Sequence, residues 1–364
     1  RRQRQMCIRD RIYIMMDFRK KFQDILESSY ITCQVNETSA WHDIYKLLLP
    51  NIPEKLFRYR RMDKSGYSIK SFREGTISLC HAGMFPDKYD SYLYINQDKI
   101  REDLKRALKD ALRICLFHIT HKSPNIRTEK ATQICYYREC GYTDEQIIDK
   151  ILEEEYVGFV DNIESAIKSR EARFRNPQNS AKIACFTENV QSKYMWDRYA
   201  DGYKGFALEY DLRNCVFKYN KLEMNVNLFP VIYTDLRPDV TLDEGNIHTY
   251  EYFKQIGDKN WLNYLNSIIS VNQLYWYKAY LYKDQKEYEH EHEWRMLYYN
   301  LENEEDYASI PDTGCLKAIY YGPDIAKKDK EKLHRIAVKK GLKEYDVNLD
   351  AESRKYDLKV TMFQ

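Results

Sequence analysis

The most informative segment of this chain is "SKYMWDRYADGYKGFALEYDL", residues 192–212. Its first half has helical spacing, with Met195 and Tyr199 four residues apart and therefore on one face. An Asp-Gly pair follows, which is typical of a helix end, and Gly205 lets the backbone turn into "KGFALEYD". That segment alternates as a half-buried strand does. The stretch therefore predicts a helix over about 191–200, a corner and a strand.

The composition is that of an ordinary folded protein. The 364 residues are 31% charged and 43% apolar, with a net charge of +2, so no overall field attracts nucleic acid or membrane. The 33 tyrosines favour half-buried surfaces and ligand pockets, although an A/T-rich genome would enrich tyrosine as well. The nine cysteines contain no C-x-x-C pair and indicate neither a zinc site nor a disulfide framework. Together with the lack of a long apolar run, this predicts a cytoplasmic protein with no membrane partner.

The order of elements predicts an α+β fold, with a mixed, mostly antiparallel sheet as its core, a helical insertion and flanking helices. The predicted strands are 55–60, 76–80, 182–188, 204–211, 228–234, 293–299, 316–322 and 355–363. The predicted helices are 41–52, 68–75, 98–119, 143–170, 191–200, 244–280 and 324–340, and 176–180 is predicted to be a loop.

Three segments follow from this pattern. Residues 1–14 are expected to be an artefact or a disordered leader, because "MCIRDR" looks like a translated sequencing adapter. Residues 15–54 form an N-terminal helical segment, and 55–364 form a single α+β domain with the helical insertion at about 97–175.

Two arginines stand out in "LFRYRR", residues 56–61. On a strand, Arg58 and Arg60 share one face, while Phe57 and Tyr59 share the other. Two guanidinium groups on one face suit a phosphate or a carboxylate. The alternative is an amphipathic edge strand with a solvated basic side.

Four further charged residues lie in a loop or at a helix end, where packing alone does not require a charge: Asp87, Asp90, Arg198 and Asp201. Asp87 and Asp90 lie in a Pro-containing loop directly after a strand, where carboxylates bind a metal or a substrate hydroxyl, or cap a turn. In the opening stretch, packing explains Trp196 but leaves Arg198 and Asp201 unexplained. We therefore expect the exposed end of that helix to deliver both charges to a cleft.

The segment "KEYEHEHEWRMLYY", residues 286–299, concentrates carboxylates. As a strand it would place Glu289, Glu291, Glu293 and Arg295 on one face. Three carboxylates in a row repel each other unless a cation, a metal or a sugar hydroxyl lies among them, and solvated charge is the alternative. His290 and His292 would be half a metal site, but no third ligand with suitable spacing stands out, so the sequence leaves a metal unknown.

Five blocks in this order resemble a largely bacterial family, domain of unknown function 2971. The blocks are "YR" at 59–60, "FPDKYD" at 85–90, "CFTENVQSKYMWDRYADGYKGFALEYD" at 185–211, "EHEWRML" at 291–297 and "IYYGPDI" at 319–325. The resemblance covers about residues 55–345. Where the family has "FNDPFD", this chain has Pro86 and Lys88 in place of the Asn and the inner Pro. The Trp that precedes the family's E-x-E is replaced by Tyr288.

The order of these parts is also similar to that of ADP-ribosyltransferases, by analogy of element order alone. By that resemblance Glu293 would hold the ribose 2′-hydroxyl of NAD, with NAD as the substrate, and Glu291 would contact the target. Arg60 would hold the phosphates, and Tyr59 or Trp196 would stack on nicotinamide. Tyr199 is counted with the binding residues because it follows Arg198 in the same block.

Three functional hypotheses remain open. The first is an NAD- or nucleotide-using transferase or glycohydrolase, as an effector of bacterial phage defence or a toxin-like enzyme, whose ligand is a small-molecule nucleotide. The second is a magnesium-dependent nuclease or phosphodiesterase that uses Asp87, Asp90, Glu291 and Glu293. The third is a non-enzymatic sensor or adaptor. The sequence indicates neither the acceptor macromolecule nor the oligomeric state.

Overall fold

The structure is a computed structural model. It describes residues 18–27, 37–120, 129–154, 176–213, 216–219, 222–225, 227–241, 274–298 and 307–363. Residues 1–14 and the predicted helical stretches 155–170 and 244–273 lie outside the described residues.

The helices in the described residues are numbered in chain order. They are α1 (18–27), α2 (Glu37–Leu48), α3 (Tyr67–Glu74), α4 (Gln97–Thr120), α5 (Glu129–Glu139), α6 (144–154), α7 (Asn176–Ser180), α8 (Lys193–Tyr199), α9 (Leu274–Leu281), α10 (Gln285–Tyr288) and α11 (Lys327–Lys340). None of these helices has the length and apolar character needed to cross a membrane.

The strands are numbered in the same way. They are β1 (Leu56–Arg60), β2 (Thr76–His81), β3 (Lys182–Thr187), β4 (Phe206–Tyr210), β5 (Val216–Tyr219), β6 (Leu222–Asn225), β7 (Leu228–Pro230), β8 (Ile232–Thr234), β9 (Tyr282–Asp284), β10 (Glu293–Tyr298), β11 (Tyr307–Pro311), β12 (Leu316–Tyr321), β13 (Lys343–Leu349) and β14 (Leu358–Met362).

Ten of these strands form one sheet in the order β11-β2-β3-β1-β4-β12-β13-β14, with β10 and β7 joined through β3. All pairs in this sheet are antiparallel except β12 with β13, whose connection is helix α11. Two small two-stranded sheets, β5-β6 and β8-β9, accompany it. The predicted α+β class with a mixed, mostly antiparallel sheet is therefore confirmed.

The sheet forks at β3, and the fork positions the site. One edge of β3 pairs with β10 along the whole strand. The other edge is shared by two strands, because β2 pairs at Ile183 and β1 pairs at Thr187. Between those two points the described strands leave the edge of β3 unpaired. Strands β1 and β2 therefore separate there and open a crevice in the sheet.

Apolar side chains cover both faces of the forked sheet. One face carries the larger core, which includes Phe72, Phe186 and Phe206. The other carries a smaller core around Trp196, whose ring meets Tyr59 edge-on at 4.9 Å between ring centroids. The indole of Trp196 is completely buried, and its Nε1–H donates to the carbonyl of Val190 at 2.7 Å. The interpretation of Trp196 as a core anchor agrees with this geometry.

Local sequence signals account for many of the boundaries. Helix α8 begins after Ser192, whose hydroxyl accepts the backbone N–H of Met195. Helix α3 ends at Gly75, which is left-handed with φ of +68°. After α8 the chain passes Gly205, where an added Cβ would lie 2.1 Å from the carbonyl oxygen of Arg60. Only glycine lets this corner approach β1 so closely.

Two predictions of local structure were wrong. Residues 176–180 form helix α7 and not a loop, because Pro177 occupies the first turn, where its missing N–H costs no hydrogen bond. The extended conformation considered for 286–292 was also wrong, whereas the predicted strand 293–299 is confirmed as β10, which begins at Glu293. Before it lie α10 and a 3₁₀ turn, Glu289–Glu291, and His292 is left-handed with φ of +45°. Glu289 is therefore exposed and is not on the face that carries Glu293.

The cysteines are only partly as expected. Cys80, Cys135, Cys140 and Cys185 are free, whereas Cys315 is disulfide-bonded. The spacing of the cysteines in the sequence had no sign of this bond.

Candidate functional site

A cavity of about 200 Å³ lies in the crevice where β1 and β2 separate. Its walls come from five parts of the chain: β1, the loop after β2, the middle of β3, helix α8, and the segment from β9 to β10. The lining residues are Phe57 to Arg60, Cys80, Phe85 to Asp87, Asp90, Ile183, Cys185, Phe186, Met195, Arg198, Tyr199, Lys283, Tyr288, Glu291, Glu293 and Arg295. Charged groups of both signs thus meet in one cavity.

The wall formed by β1 is basic. Arg58 and Arg60 share one face of the strand, as their spacing predicted, and neither forms an ion pair with a described residue. Arg60 Nη2 donates to the hydroxyl of Ser78. Arg58 Nη1 is buried and has no hydrogen-bond partner among the described residues.

Arg58 and Arg60 are partly exposed as residues, but their guanidinium groups lie deep in the protein. Burial lowers the pKa of Arg58, and burial together with the neighbouring charge of Arg58 lowers the pKa of Arg60 to about 9. At neutral pH both groups remain charged. Keeping both guanidinium groups charged in this buried position therefore costs free energy. No ion pair with a described carboxylate offsets that cost.

The opposite wall is a network of ion pairs around Arg295, which is completely buried. Its Nη1 and Nη2 donate to the two carboxylate oxygens of Asp90 at 2.8 and 2.5 Å. Its Nε donates to Oε1 of Glu293 at 2.9 Å, and Nη1 also donates to the carbonyl of Tyr280 at 2.7 Å. This two-pronged contact fixes the loop after β2 against β10.

Lys283 extends the network to a third carboxylate. Its Nζ donates to Oε2 of Glu291 at 2.7 Å and to Oε2 of Glu293 at 3.0 Å. The other oxygen of Glu291 accepts the hydroxyl of Tyr199 at 2.6 Å. The ring of Tyr288 lies 4.1 Å from Lys283 Nζ, as in a cation–π contact.

These contacts keep Glu293 ionised. Burial raises the pKa of Glu293, but the charges of Arg295 and Lys283 outweigh it and lower that pKa to about 2. Burial acts to lower the pKa of Lys283, but the carboxylates of Glu293 and Glu291 raise it well above its ordinary value. Burial, and then the charge of Glu291, raise the pKa of Tyr199. Glu293 is therefore a carboxylate and Tyr199 a neutral phenol at neutral pH.

Arg198 lies at the mouth of the cavity. Its Nη1 donates to the hydroxyl of Tyr194 at 2.7 Å, and its guanidinium is 5.7 Å from the ring centroid of Tyr288. The side chain is largely exposed. The structure therefore brings Arg198 and Glu293 to the same cavity, one at the rim and the other in the wall.

Most of the residues selected from the sequence converge here. Those that line the cavity are Arg58, Tyr59, Arg60, Asp87, Asp90, Arg198, Tyr199, Glu291, Glu293 and Arg295. Two do not. Trp196 packs in the core behind the cavity, so stacking of its ring on a ligand is not supported. Asp201 is an exposed, left-handed turn residue with φ of +53°, so it closes the corner after α8 and is not delivered to the cleft.

Sequence reasoning missed Lys283, the cation that joins the two glutamates. It lies in β9, where no charge pattern marks it. A row of carboxylates requires neighbouring cations, and this requirement was the sequence signal for Lys283. Only arginines were considered as those cations. Cys80 and Cys185 were also missed; burial, and then the charge of Glu293, raise the pKa of the Cys185 thiol.

The described residues contain no group of three His, Cys, Asp or Glu arranged to hold a metal ion. Asp90, Glu291 and Glu293 instead bind protein cations. His290 and His292 are exposed. The observed arrangement of these carboxylates therefore does not favour the magnesium-dependent hypothesis.

The fold and the site together define an α+β protein with a charged cavity in the fork of its sheet. Residues 195–296 match the family model described as a protein of unknown function, DUF2971, which confirms the family resemblance. The match includes most of α8, all of β4 and the Glu293–Arg295 segment, whereas β1 and the Asp87–Asp90 loop lie outside it. Comparisons with curated proteins and with solved structures gave no match. The analogy with ADP-ribosyltransferases remains a prediction.

Proposed function

We propose that the cavity binds the phosphate-bearing part of a nucleotide such as NAD and that the protein cleaves or transfers its ribosyl group. The observation that carries the proposal is the pair Arg58 and Arg60, two charged guanidinium groups in one cavity without a carboxylate partner among the described residues. A buried cation without a partner costs several kcal/mol. A phosphate group would supply both the charge and the hydrogen-bond acceptors that this wall lacks.

The size of the cavity limits what it can enclose. Sites for drug-sized ligands usually measure about 300–1,000 Å³. At about 200 Å³ the cavity suits a phosphate and a sugar. The remainder of a nucleotide would extend past the rim formed by Arg198 and Tyr288.

The acidic wall supports chemistry at a ribose. Glu293 is an ionised carboxylate held by Arg295 and Lys283, so its charge is fixed in position before a ligand arrives. Such a charge stabilises the oxocarbenium-like transition state at C1′ of a ribose. In the proposed reaction the bond from C1′ to nicotinamide breaks, and its electron pair leaves with nicotinamide. Water or an acceptor nucleophile forms the new bond to C1′ and releases a proton.

A direct test is to incubate the purified chain with NAD and to measure released nicotinamide by chromatography. The wild type should release it, and Glu293→Gln should not. Glu289→Gln, which changes an exposed glutamate that does not line the cavity, should keep full activity. Folding of each variant is checked by circular dichroism. Full activity in a folded Glu293→Gln variant would overturn the assignment of Glu293.

A ligand sensor is the second candidate, because each carboxylate oxygen of Glu291 and Glu293 already has a hydrogen-bond partner. Such a network holds a shape without turnover. In that case calorimetry would detect binding of NAD or ADP-ribose, binding would be lost in Arg58→Met, and no nicotinamide would be released. Absence of both binding and release would reject both candidates.

A further inference from the structure

A second cavity, of about 750 Å³, adjoins the first. The two share Asp87, Lys283 and Tyr288 as a common wall. The first cavity is too small for a whole nucleotide. The residues that line the second cavity would therefore contact the rest of such a ligand. This neighbour differs sharply in chemistry, because tyrosines line much of it.

Three tyrosine rings surround one arginine in this second cavity. The guanidinium of Arg237 is 5.1 Å from the ring centroids of Tyr89 and Tyr92, and 5.6 Å from that of Tyr94. Within the described residues its guanidinium donates one long hydrogen bond, 3.4 Å from Nη1 to the carbonyl of Leu93. Arg237 forms no ion pair with a described residue, although Asp235 and Asp239 are close in the chain.

The cluster is held in place by the backbone. The N–H of Tyr94 donates to the carbonyl of Pro238 at 3.0 Å, and the N–H of Val240 donates to the carbonyl of Tyr94 at 3.0 Å. Beneath them Leu93, Val240 and Ala279 form a small buried cluster. The rings are therefore arranged before a ligand arrives.

Two of these rings are open to solvent. Tyr89 is 66% exposed and Tyr94 is 38% exposed. Exposed aromatic rings and an arginine plane are the surfaces on which nucleobases stack, and carboxylates accept from exocyclic amino groups and ribose hydroxyls. Asp235, Asp239 and Asp284 supply such acceptors in the same cavity.

We propose that this second cavity is a subsite for the planar base of the ligand, with Tyr89, Tyr94 and Arg237 as its stacking surface. The inference rests on the proposed function, because the base enters this cavity only when its phosphate is held by Arg58 and Arg60. The common wall at Lys283 and Tyr288 would then lie beside the sugar that joins base to phosphate.

Two probes that differ only in the base test the inference: ribose 5-phosphate and AMP, with calorimetry as the measurement. The wild type should bind AMP about ten-fold more tightly, which corresponds to one stacked base. Tyr89→Ala and Tyr94→Ala should each reduce that advantage without changing the affinity for ribose 5-phosphate. Tyr356→Ala is the matched control, because Tyr356 is 87% exposed and lines neither cavity.

The outcomes separate the two proposals. If ribose 5-phosphate binds but AMP binds no more tightly, or if both tyrosine variants bind AMP as the wild type does, the base subsite is wrong and the phosphate site stands. If neither probe binds, the phosphate site is wrong and the base subsite falls with it. Arg58→Met should weaken both probes equally, which identifies the phosphate contribution.

Discussion

Replacing Glu293 with glutamine removes one negative charge from a buried network and keeps the shape of the side chain. The pKa of Glu293 is lowered from 4.5 to about 2 by Arg295 and Lys283, against the effect of burial. Each pKa unit corresponds to 1.36 kcal/mol, so the ionised carboxylate contributes about 3 kcal/mol to the free energy of unfolding. Glutamine resembles the protonated acid, and Glu293→Gln should therefore cost about 3 kcal/mol at pH 7.

The variant should still fold, because neither neighbouring cation loses its last partner. Arg295 keeps both oxygens of Asp90, and Lys283 keeps Glu291 at 2.7 Å. The remaining cluster has two carboxylates and two cations. Severe destabilisation is typical of a buried charge left wholly unpaired, which does not arise here.

The pH dependence supplies the decisive measurement. The pKa of Glu293 is lower in the folded protein than in the unfolded chain. Its contribution to the free energy of unfolding is therefore fully present above pH 4.5 and is lost as the pH falls toward 2. Urea unfolding measures the difference in the free energy of unfolding between wild type and Glu293→Gln. This difference should be the same at pH 7 and pH 5 and smaller at pH 3.5. Glu289→Gln, at an exposed site, should change stability by less than about 0.5 kcal/mol. A difference below about 1 kcal/mol at pH 7, or one that grows as the pH falls, would refute the reasoning.

Three further outcomes are expected. Trp196→Ala should lower the free energy of unfolding by about 3–5 kcal/mol in urea titration, because it empties a completely buried site; a loss below about 1 kcal/mol would contradict its role as a core anchor. Gly205→Ala should destabilise the protein and weaken AMP binding, since the new Cβ would collide with the carbonyl of Arg60 2.1 Å away; unchanged thermal unfolding would show that the corner is not constrained. Arg58→Met should raise the melting temperature while weakening AMP binding, because burial disfavours the charge of Arg58; a lower melting temperature would mean that the guanidinium has a stabilising partner.

Local periodicity was sufficient for the parts of the site that come from single elements. Alternation along 56–61 placed Arg58 and Arg60 on one face of β1, and helical spacing with a following glycine found α8 and its corner. These features depend on neighbours within a few residues. For the same reason the strand order and the fork at β3 could not be predicted, because they depend on pairings between distant segments.

The error at 286–292 shows a limit of periodicity. A regular Glu-x-Glu-x-Glu pattern suggests a strand, but the backbone forms a 3₁₀ turn and His292 takes a left-handed conformation. Glu291 thus approaches the cavity from a turn and Glu293 from a strand, and both reach Lys283. Glu289, in the same repeat, accepts a hydrogen bond from the Gln285 side chain and stays in solvent. The cation that binds Glu291 and Glu293 is Lys283, which lies eight residues before Glu291. Its position accounts for which carboxylates face the cavity.

The two walls of the cavity differ in whether their charged groups are paired, and this difference is the strongest argument for a ligand. On one wall three carboxylates, Asp90, Glu291 and Glu293, are matched by Lys283 and Arg295 through short hydrogen bonds, which leaves one net negative charge. On the other wall the two arginines of β1 have no acidic partner among the described residues, and one buried nitrogen lacks any hydrogen bond. A network built only for stability would pair these cations with the surplus carboxylate, as buried charges require. The crevice in the sheet keeps the walls apart instead, and under the proposed function an anion that enters between them would supply the missing pairing.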